Sequence, residues 1–323
     1  MNIDNNTIKE WAVQWPKGPL AKAAYDICAA DPDVIVLAAD LAKALGVDSA
    51  EAFEGQYYNV GIAEQNMMGI ACGLALEGKT PVATSFTPFL TLRACEQIRT
   101  FVCYPKLNVT VIGTHTGLQV GGDGATHAAI EDVAILRAMP NMTIVQPADA
   151  VAAIKIARWS VDFEGPLYIR LHRNAVADIY DPDTYTFTFG KAHTAADYGA
   201  DMTMISSGIL LAKALEAARI LREQGIGVRV LDMATIKPLD KEAVLRAAEE
   251  TGAIMTIEDH TVLGGLGSAV AETVVSNRPV PMELVGVQDR FGESGDPELI
   301  YKSHGMDTAS IVENAKALIG RKG

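Results

Sequence analysis

Short, uninterrupted apolar runs alternate with amphipathic ones along most of this chain. "VIVLAAD" (34–40), "TPVATSF" (80–86), "LNVTVIGT" (107–114), "MTIVQPAD" (142–149) and "GPLYIRL" (165–171) are β-rich and bounded by turn residues. They do not alternate apolar with polar positions, so they predict strands covered on both faces of a mostly parallel sheet. Between them, segments near 62–77, 90–103, 128–138 and 149–161 are amphipathic and predict helices. The pattern is that of a doubly wound α/β domain.

A polar, turn-rich stretch at 174–201 interrupts the alternation, and a linker ending near Phe187 is expected there. The alternation then resumes with "MTMISSG", a helix near 209–224, "IGVRVLDM", a helix near 240–250, "GAIMTIED", a helix near 265–277 and "MELVGV". The expected division is therefore a first domain over 1–187 and a second, smaller α/β domain over 188–323. A chain of 323 residues with 49% hydrophobic content is long enough for two cores.

Charge and cysteine use narrow the classes of function. A net charge of −13 without a basic cluster argues against a nucleic-acid surface. Cys28, Cys72, Cys95 and Cys103 lack metal-ligand or disulfide-ladder spacing and read as reduced thiols of a cytoplasmic protein. No stretch is apolar over membrane-spanning length, and "MNIDNNTIKEWAVQW" does not read as a signal peptide.

Candidate chemistry gathers where open parallel sheets bind ligands, beyond the carboxyl ends of the strands. Those positions hold Asp40, Phe86, Phe89, His115, the loop "TGLQVGGDGATH" with Asp123 and His127, then His172 and Arg173. The glycines of that loop permit positive φ and close backbone approach to a ligand, although a long solvated turn would look the same. His115 and His127 do not have metal spacing. "GGLGSA" (264–269) mimics a dinucleotide loop and is read as a close helix–sheet contact.

One residue stands against its own pattern. Read as a helix from about Ile62, "IAEQNMMGIACGLALEG" puts Glu64 on one stripe with Met68, Ala71 and Ala75. An acid in a first helical turn is favoured by the dipole and is often simply exposed. An acid on a core-facing stripe is instead suited to trading a proton with a ligand nitrogen.

With "VGIAEQNMMGIACGLALEG", "SFTPFLTLRACEQIR", "GGDGATHAAIEDVAILRAMPNM" and "DRFGESGDPELI" taken together, the sequence resembles the C-terminal half of transketolase, and more narrowly the second subunit of split, two-chain transketolases. The resemblance runs over essentially the whole chain. It implies a thiamine-diphosphate pyrimidine-binding domain followed by a transketolase C-terminal domain. The implied reaction moves a two-carbon ketol unit from a ketose phosphate to an aldose.

The resemblance also implies roles residue by residue. Glu64 matches the glutamate that hydrogen-bonds N1′ of the thiamine aminopyrimidine and promotes its imino tautomer. Phe86 and Phe89 match the aromatic pair around that ring, and Asp40 an acid close to the cofactor. Asp123 and His127 match contacts to the donor sugar, with His127 a catalytic candidate beside Glu64. His115 and Arg173 match the grip on the sugar phosphate, where a guanidinium fork suits paired oxygens. Lys17 stands where the family has a further phosphate-binding arginine, and Ala44 where it has a serine. A third aromatic of the pyrimidine pocket has no match, Arg93 being nearest.

The same resemblance implies a partner. "GGDG" is similar to the Gly-Asp-Gly that opens the family's metal and diphosphate motif, but the stretch where that motif should close on asparagines reads "DAVAAIK". This chain is thus expected to hold no metal itself. Mg2+ or Ca2+ and the diphosphate would be held by an obligate N-terminal transketolase subunit, in an α2β2-like assembly that is inactive without it. Two other readings compete: the β subunit of a 2-oxoacid dehydrogenase, which shares "VGIAEQ" text, and a catalytically silent thiamine-fold subunit.

Overall fold

A computed structural model describes residues 31–40, 55–173 and 178–322. Lys17, Ala44 and Cys28 lie outside the described residues. The chain divides into two compact units: residues 1–116 with 135–187, and residues 117–134 with 188–323. The longer segment of the second unit starts at Thr188. The glycine-rich loop, however, groups with the second unit rather than with the strand that precedes it. Apolar runs locate strands, but they carry no information on which core a polar loop packs against.

In the first unit the strands are β1 (Val34–Ala38), β2 (Tyr57–Asn59), β3 (Thr80–Phe86), β4 (Thr110–Thr114), β5 (Thr143–Val145) and β6 (Leu167–Arg170). They lie in the order β5-β6-β4-β3-β1-β2. Every one of these neighbouring pairs is parallel. Such strands need cover on both faces, and β1 is buried at all its positions, which is why "VIVLA" has no polar member.

Helices α1 (Glu64–Leu76), α2 (Asp132–Ala138) and α3 (Ala150–Val161) fall in the predicted segments. The second starts at Asp132 rather than near Ala128, because residues 128–131 are not helical. Asp149 caps α3 by accepting the Ala152 N–H at 2.8 Å, and its other oxygen accepts from Ile179 and Tyr180. Val151, Ile154 and Tyr185 form a buried cluster beneath this helix, with Tyr180 and Phe187 packed against it.

The helical segment expected at 90–103 is present but shifted in register. Two π-helical stretches, Phe89–Arg93 and Ile98–Cys103, flank the short α turn Cys95–Gln97. The Ala94 N–H reaches back five residues to the Phe89 carbonyl. Such inserted turns cluster at functional sites because they re-aim a side chain.

In the second unit, β7 (His193–Asp197), β8 (Met202–Ser206), β9 (Val228–Asp232), β10 (Thr235–Lys237), β11 (Ile254–Thr261) and β12 (Met282–Val287) alternate with α4 (Leu210–Glu223), α5 (Lys241–Thr251) and α6 (Leu266–Asn277); α7 (Pro297–Ser303) and α8 (Thr308–Ile319) follow. The main sheet has the order β12-β11-β8-β9-β7, parallel except for β7. Ile205, Leu231, Val244, Ile254, Leu266 and Val270 share one core.

"GGLGSA" is indeed a close helix–sheet contact. A Cβ at Gly265 would sit 2.1 Å from Glu258 Oε2, and one at Gly267 2.8 Å from Thr256 Oγ1. The buried Glu258 carboxylate takes the anion position at the start of α6, accepting from Leu266 N (2.7 Å) and Gly267 N (2.8 Å).

Candidate functional site

The register of the first sheet brings the strand ends to one rim. Phe86 pairs with Thr114, and Gly113 with Arg170, so β3, β4 and β6 terminate together. His115 follows β4 at once, and His172 and Arg173 follow β6.

Glu64 opens α1 with 1% of its surface exposed. Met67, Met68 and Ala71 are buried on the same helix, while Gln65 and Asn66 face outward. The acid therefore does lie on the apolar face of its helix, as the spacing predicts, and Ala75 at the far end is only partly buried.

Two side chains approach its carboxylate. Arg93 Nη1 donates to Oε2 at 2.7 Å, and the Ser85 hydroxyl donates to Oε1 at 3.4 Å. The Arg93 guanidinium also lies 4.6 Å from the centre of the Phe89 ring, a cation–π distance. Sequence reasoning placed Arg93 only where an aromatic was wanted. Its pairing with Glu64 spans 29 positions and depends on the π-helical register, for which the sequence offered no signal.

Phe86 and Phe89 are partly buried, with ring centres 6.1 Å apart and planes tilted by 39°. The His115 ring sits 4.0 Å from that of Phe86, and His115 Nδ1 lies 3.1 Å from the Thr114 hydroxyl. His115 adopts φ 60° and Asp40 φ 58°, backbone states that are strained for non-glycine residues and concentrate at functional sites. Asp40 is exposed just past β1; its N–H donates to Asn59 Oδ1 at 3.1 Å. The nearby Asp40 charge adds to burial in pushing the Tyr57 phenol above its usual range.

Arg173 is partly buried beyond β6. Beside it, His172 is buried, and neither ring nitrogen has a hydrogen-bond partner among the described residues. Burial lowers its pKa from 6.5 to about 3, and the Arg170 charge acts in the same direction. The Pro147 backbone pulls more weakly the other way. His172 is thus a neutral ring at ordinary pH.

Asp123 and His127 are positioned by the second unit. The turn Leu118–Asp123 is 3-10 helical, with Gly117, Gly121 and Gly124 at positive φ. Asp123 is exposed, and the partly buried His127 has Nδ1 2.9 Å from the Thr126 hydroxyl. A hydroxyl at Nδ1 orients the ring and presents Nε2 on its far edge.

The arrangement in the first unit suits an aminopyrimidine. A buried acid offers an acceptor or a proton to a ring nitrogen, and tilted aromatic faces supply apolar cover and offset contact for a flat heterocycle.

The family model "Transketolase, pyrimidine binding domain" matches residues 15–178, and "Transketolase, C-terminal domain" matches 190–311. The chain is 40% identical to the 6-deoxy-6-sulfo-D-fructose transketolase subunit SqwH of Clostridium sp. (strain MSTE9), over 95% of each chain. It is also 40% identical to an apulose-4-phosphate transketolase subunit of Phocaeicola vulgatus, over 88% of this chain and 91% of the relative. A solved structure described as a split gene transketolase, inactive β4 tetramer, superposes with a TM-score of 0.87 at 43% identity, covering 94% of this chain and 98% of the other. The chain belongs to the transketolase family and carries its pyrimidine-binding domain followed by its C-terminal domain.

Proposed function

We propose that this chain is the pyrimidine-binding subunit of a two-chain, thiamine-diphosphate-dependent transketolase. The observation that carries the proposal is Glu64: a carboxylate with 1% exposure, at a helix start, linked through Arg93 to the face of the Phe89 ring. When bound, thiamine diphosphate supplies the thiazolium carbon that accepts and passes on a two-carbon unit.

The chain's own residues do the rest. Glu64 holds a proton against N1′ of the aminopyrimidine, in a setting where water does not compete. Phe86 and Phe89 cover the ring and keep that contact dry. On the donor sugar, His127 and Asp123 bind hydroxyl and carbonyl groups, while Arg173 and His115 take the phosphate. Lys17 would serve the same phosphate with a point charge in place of an arginine fork.

The metal and diphosphate are assigned to an N-terminal transketolase subunit within an α2β2-like assembly. Support comes from "DAVAAIK", which lacks the asparagines a metal motif needs, and from the naming of the relatives as subunits. The structural relative described as an inactive β4 tetramer fits a chain that is inactive by itself. The test is to co-express the chain with its partner and assay a panel of ketose phosphates and aldoses in a coupled reaction. Ketol transfer by the pair, absent from either chain alone, is expected. Oxidative decarboxylation of a 2-oxoacid by the pair, or no turnover with any donor, would sink the reading.

A further inference from the structure

The loop that carries Asp123 and His127 is held by a buried acid to which neither sequence nor family match assigned a role. Asp259 lies near the carboxyl end of β11 and is 1% exposed. Its neighbours Glu258 and His260 serve other elements, as the alternation of a strand requires. Glu258 accepts at the start of α6, and His260 Nε2 accepts the Ala134 N–H at 3.3 Å. Asp259 turns to the loop instead: Oδ1 accepts the Leu118 N–H at 2.9 Å, and Oδ2 accepts the Tyr301 hydroxyl at 2.7 Å.

The fit leaves no slack. A Cβ on Gly117 would stand 2.1 Å from Asp259 Oδ2, so the carboxylate can approach only because that residue is glycine. Gly117 also has φ 67°, which glycine adopts without strain. Tyr301 belongs to α7, is 1% exposed and has Lys213 over its ring. The segment leading into α7 seals the rest of the loop. Gly295 N donates to the Gly121 carbonyl at 3.3 Å, and Gly292 packs where a Cβ would lie 3.0 Å from Leu118 and Ala128 side chains. "GLQVGGDGATH" and "RFGESGDPEL", separated by more than 150 positions, thus form one body with Asp259 at its joint.

We propose that Asp259, seconded by Tyr301, is a positioning residue. It fixes the turn from Gly117 to Gly124 and so sets where Asp123 and His127 stand when a sugar phosphate binds. What the loop binds rests on the function proposed above, whereas how it is held rests on this geometry alone. A charge-assisted bond to a backbone N–H is among the stronger neutral-pH contacts a protein makes, and a displacement near 1 Å at a reacting group is costly.

The experiment has two arms. Amide exchange of the full chain is compared for wild type, Asp259→Ala, Asp259→Asn and Tyr301→Phe. Asp259→Ala should speed exchange over residues 118–124 by about tenfold or more, the loss of one charged hydrogen bond. Asp259→Asn should recover most of the protection, since its oxygen still accepts from Leu118 and its amide can donate to the Tyr301 oxygen. In the assembled pair, Asp259→Ala should raise KM for the ketose phosphate by about tenfold, with a smaller fall in kcat and unchanged affinity for thiamine diphosphate. Tyr301→Phe, which keeps the Leu118 bond, should shift both readouts the same way but less, and it decides the matter if the alanine variant does not fold. Wild-type exchange in Tyr301→Phe and Asp259→Ala would overturn the proposal. A loosened loop with an unchanged KM would overturn it equally. If the wild-type pair transferred no ketol unit, the functional reading and the substrate half of this proposal would fall, while the exchange arm would still judge the hold.

Discussion

Arg93 Nη1 stands 2.7 Å from Glu64 Oε2, joining a guanidinium that is 45% exposed to a carboxylate that is 1% exposed. The pairing resolves a physical difficulty of the fold. A lone carboxylate on an apolar helix face would cost several kcal/mol, and Arg93 offsets part of that from the solvent side. A heterocycle arriving at Glu64 must therefore compete with Arg93 for Oε2 or use Oε1.

Glu64→Gln removes the proton role while keeping shape. In the assembled pair, ketol transfer should fall by about 10²- to 10⁴-fold, the usual worth of a general acid–base group. Assembly, read by analytical ultracentrifugation, should be unchanged. Transfer at the wild-type rate would dismiss the role assigned to Glu64.

Arg93→Ala leaves the buried acid with a weaker partner at 3.4 Å, the Ser85 hydroxyl. Solvent screens half of the pair, so the expected loss of stability is about 1–2 kcal/mol by urea unfolding. Combining it with Glu64→Gln should cost less than the sum of the two, because both remove one interaction. Strict additivity would mean that the pair contributes nothing.

His172 predicts a pH dependence. Its folded pKa is depressed to about 3 from 6.5, so the unfolded chain binds the extra proton between those values. The stability it contributes is complete above pH 6.5 and drains as pH falls towards 3, by up to about 5 kcal/mol in total. His172→Leu removes this titration. A plot of urea midpoint against pH should therefore slope less between pH 6.5 and 4 in the variant, and parallel curves would refute the assignment.

Gly265→Ala probes the start of α6. The added methyl would meet Glu258 Oε2 at 2.1 Å and push the carboxylate away from Leu266 N and Gly267 N. Two buried N–H groups would lose their acceptor, so a cost of about 2–4 kcal/mol is expected in chemical denaturation. A neutral result would show that the helix start can shift without penalty.

Much of this architecture was legible in the apolar pattern. The unbroken runs gave β1, β3, β4 and β6, and the amphipathic segment near 149–161 gave α3. Some elements escaped. β2 is three residues long and mostly exposed, and β7 is a partly exposed antiparallel edge strand, so neither imprints a buried run on the sequence. The helices α7 and α8 lie beyond the last stretch with a clear alternation.

The site divides in the same way. Glu64 could be singled out because a charge on an apolar stripe breaks a local rule, and local rules are visible in one dimension. Its tie to Arg93 and the hold of Asp259 on Leu118 and Tyr301 could not, since they join positions 29, 141 and 42 residues apart. Periodicity reports which face of an element is buried. It does not report which distant group meets that face, because that is set by strand register, by the π-helical turn at Phe89–Arg93 and by the choice of core on which the Gly117–Gly124 turn packs. The sequence by itself determined two α/β domains and one misplaced acid. Only tertiary structure decided what that acid touches and what holds the loop, because those contacts exist solely where separate elements converge.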